Sequence, residues 1–149
     1  MLTKKTKYAL RALVYLAENQ ANGPVLIAKL AADEKMPRKF LERILLELNN
    51  EGILQSKKGK GGGYFLHKRT NEIKVGDVVR LMDGPLAPVS CVSKTAYARC
   101  KDCGSESSCK IRGVMKEARD AIAEILDGTS LADMMNMTDE SKNAWSYVI

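Results

Sequence analysis

The stretch Met36-Pro37-Arg38-Lys39-Phe40-Leu41-Glu42-Arg43-Ile44-Leu45-Leu46-Glu47-Leu48-Asn49-Asn50-Glu51-Gly52 decides the fold. Phe40, Leu41, Ile44, Leu45 and Leu48 recur at helical spacing and make one apolar stripe. Arg38, Lys39, Glu42, Arg43 and Glu47 fall largely on the other side. Pro37 suits a first helical turn, where its missing N–H loses nothing, and Gly52 suits the left-handed residue that closes a helix. A β-compatible run at 53–57 follows, then Lys58-Gly59-Lys60-Gly61-Gly62-Gly63, then a second run at 64–67. The two runs predict a hairpin with a glycine-rich, cationic tip. A helix with a basic leading edge, joined by a tight turn to a basic hairpin, predicts a winged helix-turn-helix. In that arrangement the helix enters the major groove of DNA and the hairpin grips the backbone or minor groove beside it. The glycine run lacks the Gly-Lys-Ser/Thr ending of a phosphate-cradling loop and leads into a strand rather than a helix, so that reading is excluded.

Upstream, residues 3–19 read as a first helix with Leu10, Leu13, Val14 and Ala17 on its core face, ended by Asn22-Gly23-Pro24. Lys4, Lys5, Lys7 and Arg11 make its start basic, as suits a helix lying near phosphates. Residues 26–33 form a short support helix without a Ser, Thr, Asp or Asn cap, and Glu34-Lys35-Met36 is the turn into the recognition helix. Downstream of the wing, Ile73 and Lys74 add a brief strand, and residues 75–82 a short helix stopped by Asp83-Gly84-Pro85. Residues 85–109 have no firm periodicity. Over residues 110–127, Ile111, Val114, Met115, Ala118, Ile122, Ile125 and Leu126 form a stripe at near-heptad spacing, with Gly128 ending the helix. Too little sequence remains to cover that stripe, so it is expected to pair with its copy in a second subunit. Residues 130–135 add a further helical turn or two, and the polar segment 138–149, with Trp145 and Tyr147, is expected to be loosely ordered. The fold class is therefore mainly α with a small β-hairpin wing. It divides into a DNA-binding domain (1–84), a cysteine-rich sensor loop (85–109), and a dimerisation helix with tail (110–149).

Charge supports the division. Of the net +6, residues 1–69 carry 14 Lys and Arg against 6 Asp and Glu, and residues 70–149 carry 10 against 12. The basic half is the one with the winged-helix pattern, which points to double-stranded DNA and to binding that weakens steeply with salt. Arg11 interrupts the apolar run at 9–17, so no secretory core appears, and no run approaches membrane-spanning length. A cytoplasmic, non-membrane protein is expected. In a reducing compartment, four clustered cysteines are metal ligands or redox groups rather than structural disulfides.

Those cysteines are Cys91, Cys100, Cys103 and Cys109, spaced Cys-x8-Cys-x2-Cys-x5-Cys. Four thiols within nineteen residues, the last opening a helix whose N-terminus favours thiolate, suit either a zinc ion or an iron–sulfur cluster. Spacing does not separate the two. An enzyme is excluded on different grounds. A redox role for Cys100-x2-Cys103 would want a βαβ context, and none is visible. The single histidine, His67, ends the wing, and no nucleophile–base–acid set can be assembled.

Several stretches together carry a family resemblance: Leu2-Thr3-Lys4 with Tyr8-Ala9-Leu10, the run Phe40-Leu41-Glu42-Arg43-Ile44-Leu45, the wing from Lys57 to Tyr64, the cysteine loop, and Ser130-Leu131-Ala132-Asp133-Met134. They resemble the Rrf2 family of bacterial winged-helix repressors, typified by IscR, NsrR and CymR. The resemblance implies a homodimer crossed through the long helix, with two winged helices on an inverted-repeat operator. It makes Glu42 a base reader able to accept from cytosine. It places Lys58 where the family often has a wing arginine in the minor groove. Arg38, Lys39 and Lys60 would add phosphate contacts, with Arg43 and Lys57 completing the basic surface. Cluster-bearing relatives use three loop cysteines and a variable fourth ligand. Cys103-x5-Cys109 matches their loop, whereas Cys91 and Cys100 depart from the tighter spacing. Lys7, Arg11 and Arg112 occupy the usual fourth-ligand positions, and none is a ligand. The expectation is an all-cysteine 2Fe–2S or 4Fe–4S cluster reporting redox state, nitric oxide or iron–sulfur supply, with Lys7, Arg11, Lys101 and Arg112 offsetting its charge. The alternative is a zinc-stapled or cluster-free repressor governed by a protein partner or a thiol switch.

Overall fold

A computed structural model describes residues 2–137; the segment 138–149, with Trp145 and Tyr147, lies outside the described residues. Helix α1 (Lys4–Glu18) begins at Thr3, whose hydroxyl accepts from the amide of Thr6, and it buries Ala9, Leu10, Ala12, Leu13, Leu16 and Ala17. Val14, expected in the core, is only half-buried. A short 3-10 turn at Gln20–Asn22 leads through Pro24 to α2 (Ile27–Asp33), which starts with no side-chain cap, as its sequence anticipates. The turn into α3 places Lys35 at φ 52, a left-handed residue that no glycine signals. Helix α3 (Arg38–Asn50) follows with Pro37 at its cap rather than inside its first turn.

The end of α3 is a Schellman closure. The Gly52 amide donates to the Asn49 carbonyl at 3.0 Å and the Ile53 amide to the Leu48 carbonyl at 3.0 Å, with Gly52 at φ 70. Both otherwise orphaned carbonyls are thereby satisfied, and the chain is aimed straight into the hairpin. Strands β1 (Leu54–Lys57) and β2 (Gly63–Leu66) pair antiparallel, Leu54 opposite Leu66 and Lys57 opposite Gly63. The hairpin is docked by a contact the sequence does not reveal. Val25 and Tyr64 exchange two backbone bonds, of 2.9 and 2.8 Å, and so tie the wing to the segment before α2.

Helix α4 (Val75–Asp83) stops at Gly84, φ 87. After a loop containing a 3-10 turn at Ser90–Val92 come α5 (Lys110–Gly128) and α6 (Leu131–Met135). A Ser130–Asp133 capping box starts α6. The brief strand expected at residues 73 and 74 is a single bridge, Lys74 to Ser130. Beside it the Leu131 amide donates to the Ile73 carbonyl at 2.8 Å and the Val75 amide to the Thr129 carbonyl at 3.0 Å. One hydrophobic core joins α1, α2, α3, the hairpin and α4, and Leu131 of α6 is buried within it. Helix α5 adds no buried residue, and Leu126 only packs against the core's edge.

Candidate nucleic-acid interface and cysteine loop

Leu41, Ile44, Leu45 and Leu48 are all buried, which turns the opposite side of α3 to solvent. That side carries Arg38, Lys39 and Arg43, all exposed, with Glu42 half-buried beside them. The Glu42 carboxylate accepts from Arg38 Nε at 3.1 Å across one helical turn. Both side chains are largely in water, so the pair adds little stability and leaves Glu42 free to exchange Arg38 for another donor. Lys57, Lys58 and Lys60 are all exposed around the wing tip.

Helix α1 is lashed to the reading head at two places. Lys5 Nζ meets Glu47 of α3 at 2.7 Å, and Arg11 meets the Glu34 carboxylate at 2.8 Å while donating to the Glu34 carbonyl at 2.7 Å. Between them Tyr8 stacks edge-to-face on Phe40, ring centroids 5.7 Å apart, with the Arg11 guanidinium over its ring at 5.8 Å. Thr3 is held by the Asp83 carboxylate, which accepts from its amide at 3.0 Å and from its hydroxyl. These links were not read from the sequence, because each joins positions that composition leaves unrelated.

The cysteine loop is less regular. Cys91 is buried in the 3-10 turn, Cys100 is exposed, and Cys103 and Cys109 are half-buried. The loop folds on itself through Ala98 and Ser90, which exchange bonds of 3.3 and 3.1 Å, and through the Tyr97 hydroxyl, which donates to Glu106 at 2.6 Å. Partial desolvation pushes the Cys100 thiol up, and the nearby Cys91, Asp102 and Cys103 add to the shift. Cys109 caps α5, its sulfur accepting from the Arg112 amide at 3.4 Å. Among the described residues no three His, Cys, Asp or Glu side chains converge to hold a metal ion. Arg112 Nε is buried without a hydrogen-bond partner. Arg11, expected near the loop's charge, is taken up by Glu34 of its own chain.

A surface of this kind on a winged helix has known counterparts. The Rrf2 family model, described as an iron-dependent transcriptional regulator, matches residues 2–137. The chain belongs to the Rrf2 family. It is 40% identical over 138 residues to an Rrf2-like HTH-type transcriptional regulator of Rhodobacter capsulatus, covering 91% of this chain and 92% of the relative. Among solved structures it is similar to CymR, the global cysteine regulator of B. subtilis, with a TM-score of 0.77, 29% identity and coverage of 93% of this chain and 98% of that one. The T. potens IscR structure is similar too, at TM-score 0.69 and 26% identity, covering 100% of this chain and 91% of that one. The protein is thus a DNA-binding transcriptional regulator of the Rrf2 family, built on a winged helix-turn-helix. Among the described residues, no helix is long and apolar enough to cross a membrane.

Proposed function

We propose that this Rrf2 regulator is a homodimeric repressor that reads an inverted-repeat operator with α3 and the wing, and that its four-cysteine loop is the sensing element. The ridge of Arg38, Lys39, Glu42 and Arg43 on the solvent side of α3, together with the exposed Lys57, Lys58 and Lys60 around the wing tip, carries the DNA part of the reading. Basic side chains here position the head on phosphates, and Glu42 is placed to accept from a cytosine amino group. Helix α5 supports the dimer. Ile111 is 70% exposed, Val114 61% and Ile125 59%, an apolar seam that one protomer leaves in water. A second copy of the same seam would cover it. The division at residues 84 and 109 follows from this assignment of roles, except that α6 returns to the head, where Leu131 is buried.

The loop's chemistry fits a thiophilic group. Four thiols, Cys91 buried and the others exposed or half-buried, lie in one irregular segment, and Arg112 supplies an orphaned buried donor at the start of α5, where a thiolate or sulfide would satisfy it. An iron–sulfur cluster held by Cys91, Cys100, Cys103 and Cys109 would supply a redox- and nitric-oxide-reactive centre. Lys101 and Arg112 would offset its negative charge. Engaging Cys109 would tie the group to the sulfur that caps α5. The far end of α5 is fixed to the head by Arg80, whose guanidinium holds Asp127 through bonds of 2.8 and 2.7 Å. Reordering the loop would therefore act on the helix that sets the spacing of the two heads.

A second reading keeps the DNA function but makes the loop a zinc staple or a metal-free thiol switch. The exposed Cys100 and the half-buried Cys103, three residues apart, are the accessible thiols such a switch would use. Iron, sulfide and zinc content with an absorption spectrum, on protein purified without oxygen, separates the two. Matching iron and sulfide with visible charge-transfer bands supports the cluster. Its loss in none of the four single Cys→Ala variants removes the all-cysteine assignment. Equal operator affinity of cluster-bound and apo protein across a salt series would remove the sensing mechanism.

A further inference from the structure

Among the charges on the solvent side of α3 sits one large apolar residue, Leu46, 53% exposed. It stands one turn beyond Glu42 and follows Lys39 and Arg43 along a single ridge that ends at the exposed Asn50. Neighbours three and four apart share a face, so any surface that meets Arg43 and Glu42 also meets Leu46. The core gains little from it, since Leu41, Ile44, Leu45 and Leu48 are each fully buried on the other side. A lone leucine set among Glu42, Arg43, Asn49 and Asn50 is poorly suited to a protein partner's apolar patch, but it matches the major groove. There phosphates flank base edges, and the thymine C5-methyl is the apolar feature on offer.

We propose that Leu46 reads a thymine in each operator half-site by packing against its C5-methyl. The inference rests on α3 being the groove helix. Leu46 lies about 6 Å along the helix from Glu42. The thymine should therefore fall within one or two base pairs of the cytosine that Glu42 reads, at a spacing of roughly 3.4 Å per pair. Leu46 would then discriminate sequence, while its charged neighbours supply affinity.

The test removes the methyl from the DNA rather than the side chain from the protein. Duplexes selected by the full-length protein from a randomised pool give the operator, and single thymines in both half-sites are then replaced by deoxyuridine. At one position the replacement should weaken binding about fourfold per half-site, the worth of one buried methyl-sized group. Leu46→Ala should bind the thymine operator more weakly and show no response to deoxyuridine at that position, while its circular dichroism and melting stay unchanged. A half-site without a preferred thymine, replacements that are all neutral, or an equal response in wild type and Leu46→Ala would each overturn the assignment. A protein that enriches no duplex at all would instead bring down the assignment of α3 as the groove helix, and the leucine's role with it.

Discussion

Replacing Gly63 with alanine should separate the wing from the head. Gly63 has φ 144, a backbone region that disfavours side chains. A Cβ there would lie 2.3 Å from the Val25 carbonyl oxygen and 2.4 Å from its carbon. These are backbone atoms of the segment that docks the hairpin, so no rotamer change can make room. Relief requires the hairpin to back away, breaking the two Val25–Tyr64 bonds, worth about 1 kcal/mol each. Holding alanine at this φ adds about 1–3 kcal/mol. The expected destabilisation is about 3 kcal/mol or more, a fall in Tm of roughly 6–12 °C for a chain of this size. Gly61→Ala is the control. Its φ is 72 but nothing lies within 4 Å of the added carbon, so only the left-handed cost of about 1 kcal/mol applies. Paired thermal and urea unfolding of the two variants, followed by operator titration, reads both effects. Displacement of Lys58 and Lys60 should cost Gly63→Ala about tenfold in operator affinity at moderate salt, with a shallower salt dependence. If the two variants melt within about 2 °C of each other, the steric reasoning is wrong.

Lys58→Ala should flatten the slope of log affinity against log salt by about one per protomer, because one phosphate contact is lost; fluorescence anisotropy over a salt series measures it. Ile125→Asp should give a monomer by sedimentation and lose tight operator binding without lowering the head's melting temperature, since Ile125 is mostly in water. The bonds from Arg80 hold the Asp127 carboxyl below its ordinary 3.8, so that pair stabilises the fold above this pH and is lost as pH falls through the lowered value. Asp127→Asn should therefore be less stable than wild type near neutrality, and in urea titrations the gap should close only below pH 3.8. Leu131→Ala should cost about 2–5 kcal/mol as a core truncation, although it lies in the last described helix.

Local patterning carried most of the architecture. The stripe through Phe40 and Leu48, the Gly52 closure and the glycine-rich wing each depend on residues close in sequence, and the structure places them within a residue or two of expectation. What escaped are contacts between distant segments. No periodicity signals that Val25 would bridge Tyr64, or that Lys5 and Arg11 would brace α3 and its turn. The 3-10 turn that buries Cys91 is too short to leave a pattern, and Lys35 takes a left-handed conformation without the glycine that would announce it. The exposure of Arg38, Lys39 and Arg43 was legible because their face is defined by what α3 buries. The relation among the four cysteines was not, since an irregular loop is set by side-chain bonds such as Tyr97 to Glu106 rather than by spacing.

The return of the chain at residues 129–131 has a consequence for building hybrid regulators. Leu131 fills the head's core from the far side of α5, and Thr129 and Leu131 bond residues 75 and 73 at the start of α4. The stalk is thus an insertion into the head rather than an appendage to it. A chimera that grafts another relative's sensor onto this reading head needs two junctions, one after α4 and one between Gly128 and Thr129. A single cut would leave the recipient head with an empty socket where Leu131 belongs.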